Sequence, residues 1–114
     1  MHELGIAESA LQTALEQARL NNATRVQRIV IRVGSLSGVD PESLRFAFTA
    51  VLPGTMAEGA VVQIDPVPAV AYCPDCAKDF TTDSSHYFEC PQCGHLCQTI
   101  KQGRELDLVR LEVT

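Results

Sequence analysis

Positive charge is scarce in this chain. Its 9 Lys and Arg stand against 14 Asp and Glu, for a formal net charge of −5 at pH 7. A nucleic-acid binder needs a basic face to neutralise phosphates, and this composition offers none. Even the cysteine-bearing stretch is acidic: between Cys73 and Cys97, Lys78 alone stands against Asp75, Asp79, Asp83 and Glu89. Long apolar runs are missing too. None approaches the roughly 20 residues of a membrane-crossing helix, so no membrane partner is expected. Glu3 and Glu8 sit where a basic secretory leader would be, and a cytoplasmic location is expected. Histidine is limited to His2, His86 and His95, whereas a nucleophilic Ser or Cys needs an activating base. HExxH, GxSxG and phosphate-cradling glycine loops do not occur. The chain is therefore not expected to be an enzyme. Its apolar fraction of 46% is that of a globular protein, and 114 residues correspond to about one small domain.

What the chain does have is cysteine in two matched pairs. Cys73-Pro-Asp-Cys76 and Cys90-Pro-Gln-Cys93-Gly94 are separated by thirteen residues. Two residues between cysteines let one tight turn aim both sulfurs at one ion, and a second pair completes a tetrahedron. Proline stiffens each turn, and Gly94 permits a backbone conformation that other residues resist. In a reducing compartment such thiols bind metal in preference to forming a disulfide scaffold. The set Cys73, Cys76, Cys90 and Cys93 predicts a zinc site. Four sulfurs close it to substrate, which assigns it a structural role. Iron is the other metal such a set takes, and an iron–thiolate site would be coloured and redox-active. About twenty-five residues bury too little to fold alone, and zinc would supply on the order of 10 kcal/mol. Cys97 reads as a small buried apolar group or as a competing ligand. His95 reads as an exposed residue on the zinc turn, or as one that donates to a sulfur, replaces a ligand or senses metal.

The rest of the chain predicts an α+β fold. Leu4, Ala7, Leu11, Ala14, Leu15 and Ala18 recur at helical spacing, and Asn21-Asn22 can end that helix. From Arg25 to Val33 the pattern alternates, with Ile29, Ile31 and Val33 on one face and Arg28 and Arg32 on the other. A loop covers residues 34–38. Asp40-Pro41 is a helix start, with Leu44, Ala47, Phe48 and Val51 inward and a stop at Pro53-Gly54. Phe46 falls off that face, free to meet a partner or cover a sheet edge. Ala60–Asp65 reads as a second strand; Pro66 and Pro68 confine the adjoining stretch to a connector or an edge. A last strand begins after Gly103, and its two apolar phases need a bulge near Leu108-Val109. Its natural partner is the sheet of the first half. The cysteine module then becomes an insertion: a small mixed sheet with two helices, from residues 1–68 completed by 102–114, interrupted by a zinc-ribbon-like module over 69–101.

The opening Met1-His2-Glu3 offers a second kind of metal chemistry. The Met1 amine and the His2 amide nitrogen close a five-membered chelate ring, and the His2 imidazole Nδ1 adds a six-membered one. Such planar nitrogen donors suit Ni(II) or Cu(II). The fourth corner falls to the Glu3 amide or carboxylate, to another side chain such as His86, or to water. The competing reading is a solvated His2 at a frayed terminus, a Glu3 that suits a helix N-terminus, and a His86 solvated in its loop.

Taken jointly, several segments are more specific. Met1-His2-Glu3-Leu4, Val33-Gly34-Ser35-Leu36-Ser37-Gly38, Gly54-Thr55-Met56-Ala57-Glu58-Gly59-Ala60, both CxxC pairs and Gly103-Arg104-Glu105-Leu106 span essentially the whole chain. In these it resembles the HypA/HybF family of hydrogenase maturation proteins, which are nickel metallochaperones. The resemblance implies that His2 is the indispensable nickel ligand, with backbone nitrogens near it and Glu3 adjacent. It also implies that the four paired cysteines hold zinc, and that the fold is a small nickel-binding domain with an inserted zinc-binding domain. As partners it implies a HypB-type GTPase and the large-subunit precursor of [NiFe]-hydrogenase, with urease served by some relatives. No nucleotide-binding motif is present, so GTP hydrolysis would belong to the partner. A module on proline-bearing connectors can also swing, or swap between protomers in a homodimer. The rival function is a zinc-ribbon adaptor that joins proteins and carries no second metal.

Overall fold

The computed structural model describes residues 3–82 and 88–114. Helix α1 spans Glu3–Leu20 and buries Ala7, Leu11, Ala14 and Ala18 on one stripe. Leu4, which shares that spacing, is instead 38% exposed, because it lines an open hollow with Phe46 at the start of the helix. The helix ends where the asparagines predict. Asn22 turns into the left-handed region (φ 57). The Ala23 N–H then reaches the Ala18 carbonyl and the Asn22 N–H the Arg19 carbonyl, a closing motif that satisfies two of the last carbonyls.

Strand β1 (Val26–Gly34) is the centre of a three-stranded sheet. It pairs in parallel with β2 (Val61–Val67) and antiparallel with the last strand, β6 (Leu106–Val113), so the sheet is mixed, as expected. Parallel neighbours need a crossover. Helix α2 (Pro41–Val51) lies in that connection, and the Ser43 N–H donates to its N-cap, Asp40. The Ser43 hydroxyl donates as well, and these two bonds hold the Asp40 carboxyl below its usual range. Ile29, Ile31 and Val33 face the helices in one core with Leu44, Ala47 and Phe48. Val30 on the opposite face is also buried, between half-buried Arg28 and Arg32 whose stems can cover it. Pro66 lies inside β2, and β2 is an edge strand, where a missing N–H is tolerated. In β6, Val30 pairs with Arg110 but Ile31 with Leu108, so Val109 is the extra residue of a bulge and is 46% exposed. Leu106, Leu108 and Leu111 pack on the core. Phe46 does not cover the sheet edge; it stands 76% exposed on α2.

A second sheet, antiparallel, contains Cys73 at the end of its central strand. Its order is β4–β3–β5, from Lys78–Thr82, Ala69–Cys73 and Thr99–Gln102. Pro68 alone separates β2 from β3. The two sheets meet at Gly34 and Gly103. The Leu36 N–H donates to the Gly103 carbonyl (2.7 Å), Ser35 N–H to the Val67 carbonyl (2.9 Å) and Gly34 N–H to the Glu105 carbonyl (2.7 Å). The Glu105 carboxylate accepts from the Gly103 N–H at 2.7 Å and lies 3.8 Å from Arg32. The Gly103 N–H first, with Arg32 adding to it, holds that carboxyl below its ordinary value of 4.5. Its stabilising contribution is therefore present above that value and fades as pH falls through the lower folded one.

A Cβ at Gly34 would stand 2.0 Å from the Gly103 carbonyl oxygen, a backbone atom that cannot step aside. Gly34→Ala should therefore cost about 3 kcal/mol or more. A Cβ at Gly5 in α1 would meet nothing within 4 Å, so Gly5→Ala should be neutral or gain about 0.5–1 kcal/mol. Thermal unfolding of the two variants against wild type checks both signs.

Candidate metal centre

Two hairpin tips build the centre. Strand β3 ends at Cys73, which pairs with Lys78 across the turn that carries Cys76. The second tip is closed by the antiparallel bridge Glu89–Leu96, with the Cys90 N–H donating to the His95 carbonyl (2.9 Å) and the Gly94 N–H to the Cys90 carbonyl (2.9 Å). In each tip the residue after the second cysteine has a positive φ. Gly94 adopts 75°, as its glycine predicts, and Ala77 adopts 53°. For alanine that region is disfavoured by roughly 1–2 kcal/mol. The parallel with Cys93-Gly94 is the signal that would have found Ala77.

These tips face each other. Cys73 Sγ lies 3.6 Å from Cys93 Sγ, and Cys76 Sγ lies 3.8 Å from Cys90 Sγ. All four sulfurs fall within 4.8 Å of one another. A tetrahedral zinc with bonds of about 2.3 Å sets its sulfurs about 3.8 Å apart, whereas a disulfide needs about 2.05 Å. The donor set fits a tetrahedral thiolate-bound ion. The Cys76 N–H points at Cys73 Sγ (3.5 Å), the kind of backbone donor that stabilises a thiolate. N–H groups of Cys93 and Gln92 hold the Cys90 thiol down at about 7. Hydrogen bonds with Cys93 and Cys90 push Cys76 up to about 12. Loading a metal must drive off the remaining thiol protons, so its affinity falls in acid. Cys73 and Cys90 are buried, and Phe80 and Phe88 pack against them.

His95 does not join the four-sulfur group. Its Nδ1 lies 3.0 Å from Asp75 Oδ2, which links the two tips through exposed side chains. An exposed pair of this kind contributes at most about 1 kcal/mol. No spacing in the sequence signals Asp75 as the partner of His95. Cys97 is buried, 4% exposed, beside Cys73 and Cys90. Its N–H donates to the Phe88 carbonyl (2.8 Å) and its Sγ lies 3.5 Å from the His95 carbonyl. Burial first, then neighbouring Cys73, pushes its thiol up to about 11. That is the environment of a small apolar residue.

Met1, His2 and His86 lie outside the described residues. Glu3 is the first residue of α1 and shares a hollow of about 510 Å³ with Leu4, Glu42, Ser43, Phe46, Ala47 and Ala50. The starts of α1 and α2 are thus neighbours. Among the described residues, no helix is long and apolar enough to cross a membrane.

A family model described as hydrogenase/urease nickel incorporation, metallochaperone, hypA matches residues 1–113 of the chain. The hydrogenase maturation factor HypA of Picosynechococcus sp. is 43% identical over 113 residues, covering 99% of both chains. That of Chloroflexus aurantiacus is 40% identical over 112 residues, covering 98% of both. The solution structure of the Ni metallochaperone HypA from Helicobacter pylori superposes with a TM-score of 0.69 at 27% identity, covering 99% of this chain and 97% of that one. A second HypA solution structure gives a TM-score of 0.71, also at 27% identity, over 100% and 97%. With a full-length family match, relatives at about 40% identity and a shared fold, the chain belongs to the HypA family of hydrogenase/urease nickel-incorporation metallochaperones.

Proposed function

We propose that this protein is a non-enzymatic nickel carrier that takes up Ni(II) at its N-terminus and delivers it during [NiFe]-hydrogenase maturation. The observation that carries the reading is the family match over residues 1–113, which includes Met1-His2-Glu3. His2 supplies the imidazole donor, with the Met1 amine, the intervening amide nitrogens and Glu3 completing the set. A cation here opposes the dipole of α1, and the charges of Glu3 and Glu8 offset that cost. Incomplete protein coordination suits a cargo that must be released.

Cys73, Cys76, Cys90 and Cys93 hold zinc in a structural role. In this reading residues 1–68 with 102–114 form the nickel-binding domain and residues 69–101 the zinc-binding module. The carrier works in the cytoplasm with a HypB-type GTPase, which supplies the nucleotide chemistry, and the hydrogenase large-subunit precursor receives the metal. The net charge of −5 gives nucleic acid no part in this scheme.

Complementation separates the carrier from an adaptor without a second metal. In a hydrogenase-producing strain that lacks its own HypA-type protein, this chain should restore hydrogenase activity at low nickel. His2→Ala should fail at equal protein level. An adaptor predicts that His2→Ala restores activity as well as wild type does.

A further inference from the structure

Each cysteine turn presents one buried and one more exposed cysteine. Cys73 and Cys90 are buried, Cys76 is half-buried and Cys93 is exposed. The sulfur contacts at 3.6 and 3.8 Å run between the turns, Cys73 to Cys93 and Cys76 to Cys90. Each therefore joins a buried cysteine to a more exposed one. Cys97 is buried beside them but stands outside the four-sulfur group, with its Sγ on the His95 carbonyl.

We propose that the cysteine module is a site of oxidative modification, in which a peroxide links Cys73 to Cys93 and Cys76 to Cys90 across the two turns and so abolishes metal binding. The inference rests on the zinc reading for its metal-release part only. A peroxide oxygen transfers to one sulfur of each cross-turn pair: an S–O bond forms, the O–O bond breaks and hydroxide leaves. The thiolate opposite then attacks that sulfur: the S–S bond forms, the S–O bond breaks and a second hydroxide leaves. Each pair gives up two electrons and reduces one peroxide. The sulfurs close from their present spacing to about 2.05 Å, and none of the four remains free to hold an ion. A cross-turn link also fastens the two hairpin tips together, so the oxidised module keeps the packing of Phe80 and Phe88 on its cysteines while it loses its metal.

Hydrogen peroxide titration of the full chain tests this. The zinc content of untreated protein is counted first, so failure of the zinc reading shows before any oxidant is added. The expected result is a mass loss of about 4 Da per chain, zinc release in step with it, and one alkylatable thiol, at Cys97. Cleavage before Asp75 separates Cys73 from Cys76, and fragmentation places the other linked sulfur on Cys93 or Cys90. Cys97→Ser should give the same mass loss with no free thiol. Links within a turn, a link to Cys97, or oxidation that stops at single-sulfur acids would overturn the proposal.

Discussion

Stripping zinc with a chelator at neutral pH should unfold the cysteine module and leave the helical sheet standing. In an NMR spectrum, amides of β3, β4 and β5 and of both cysteine turns should collapse into the unfolded region. Those of α1, β1 and α2 should stay dispersed. The reason lies in the two cores. The first packs Leu11, Ile29, Ile31, Leu44 and Phe48 with many partly buried neighbours, enough to sustain itself. The second consists of Cys73, Cys90 and Cys97 with Cys76, Phe80 and Phe88 around them. Three of its members are the proposed zinc ligands Cys73, Cys76 and Cys90, so removing the ion removes the centre of that core. Zinc binding in small sites is worth on the order of 10 kcal/mol, far more than two phenylalanines supply. Cys73→Ser or Cys90→Ser should reproduce the effect without chelator. A fully dispersed spectrum of the metal-free protein would mean that the module folds by packing alone.

The same contrast explains what is legible in the sequence. Spacing alone locates the four sulfurs, because a CxxC turn has few ways to aim two side chains. Asp40-Pro41 marks the start of α2, because an N-cap followed by a proline suits little else. The conflict of phase between Leu108 and Val109 marks the bulge. Contacts made by the backbone leave no such trace. Gly34 and Gly103 are far apart in the chain, and only the fold shows that their backbones touch. The seam between the two sheets and the Glu105 clamp are invisible for the same reason. The second sheet is hidden because Val70, Tyr72 and Thr99 pair through main-chain groups, within a segment that reads as a metal ribbon. Leu4 has the spacing of a core residue yet lies open, because spacing assigns a face but not how far the cover extends along it.

Replacing His2 carries the other large effect. The imidazole closes one of the two chelate rings proposed for nickel, and its loss leaves an amine and amide nitrogens that bind Ni(II) poorly near neutral pH. Mutating outer-shell partners of metal ligands typically costs 10–100-fold in affinity, so losing a ligand itself should cost more than about 100-fold. Zinc should be untouched, since the cysteine turns are built from residues 73–97 and their own hydrogen bonds. Acetylating the Met1 amine should also weaken nickel binding if that nitrogen is a donor, because the amide it becomes is a far poorer one.

The most direct measurement is a count of both metals per chain on untagged protein equilibrated with limiting Ni(II), for wild type, His2→Ala and Cys90→Ser. The wild type should hold zinc and nickel, His2→Ala zinc alone, and Cys90→Ser should lose its zinc. Undiminished nickel affinity in His2→Ala would contradict it.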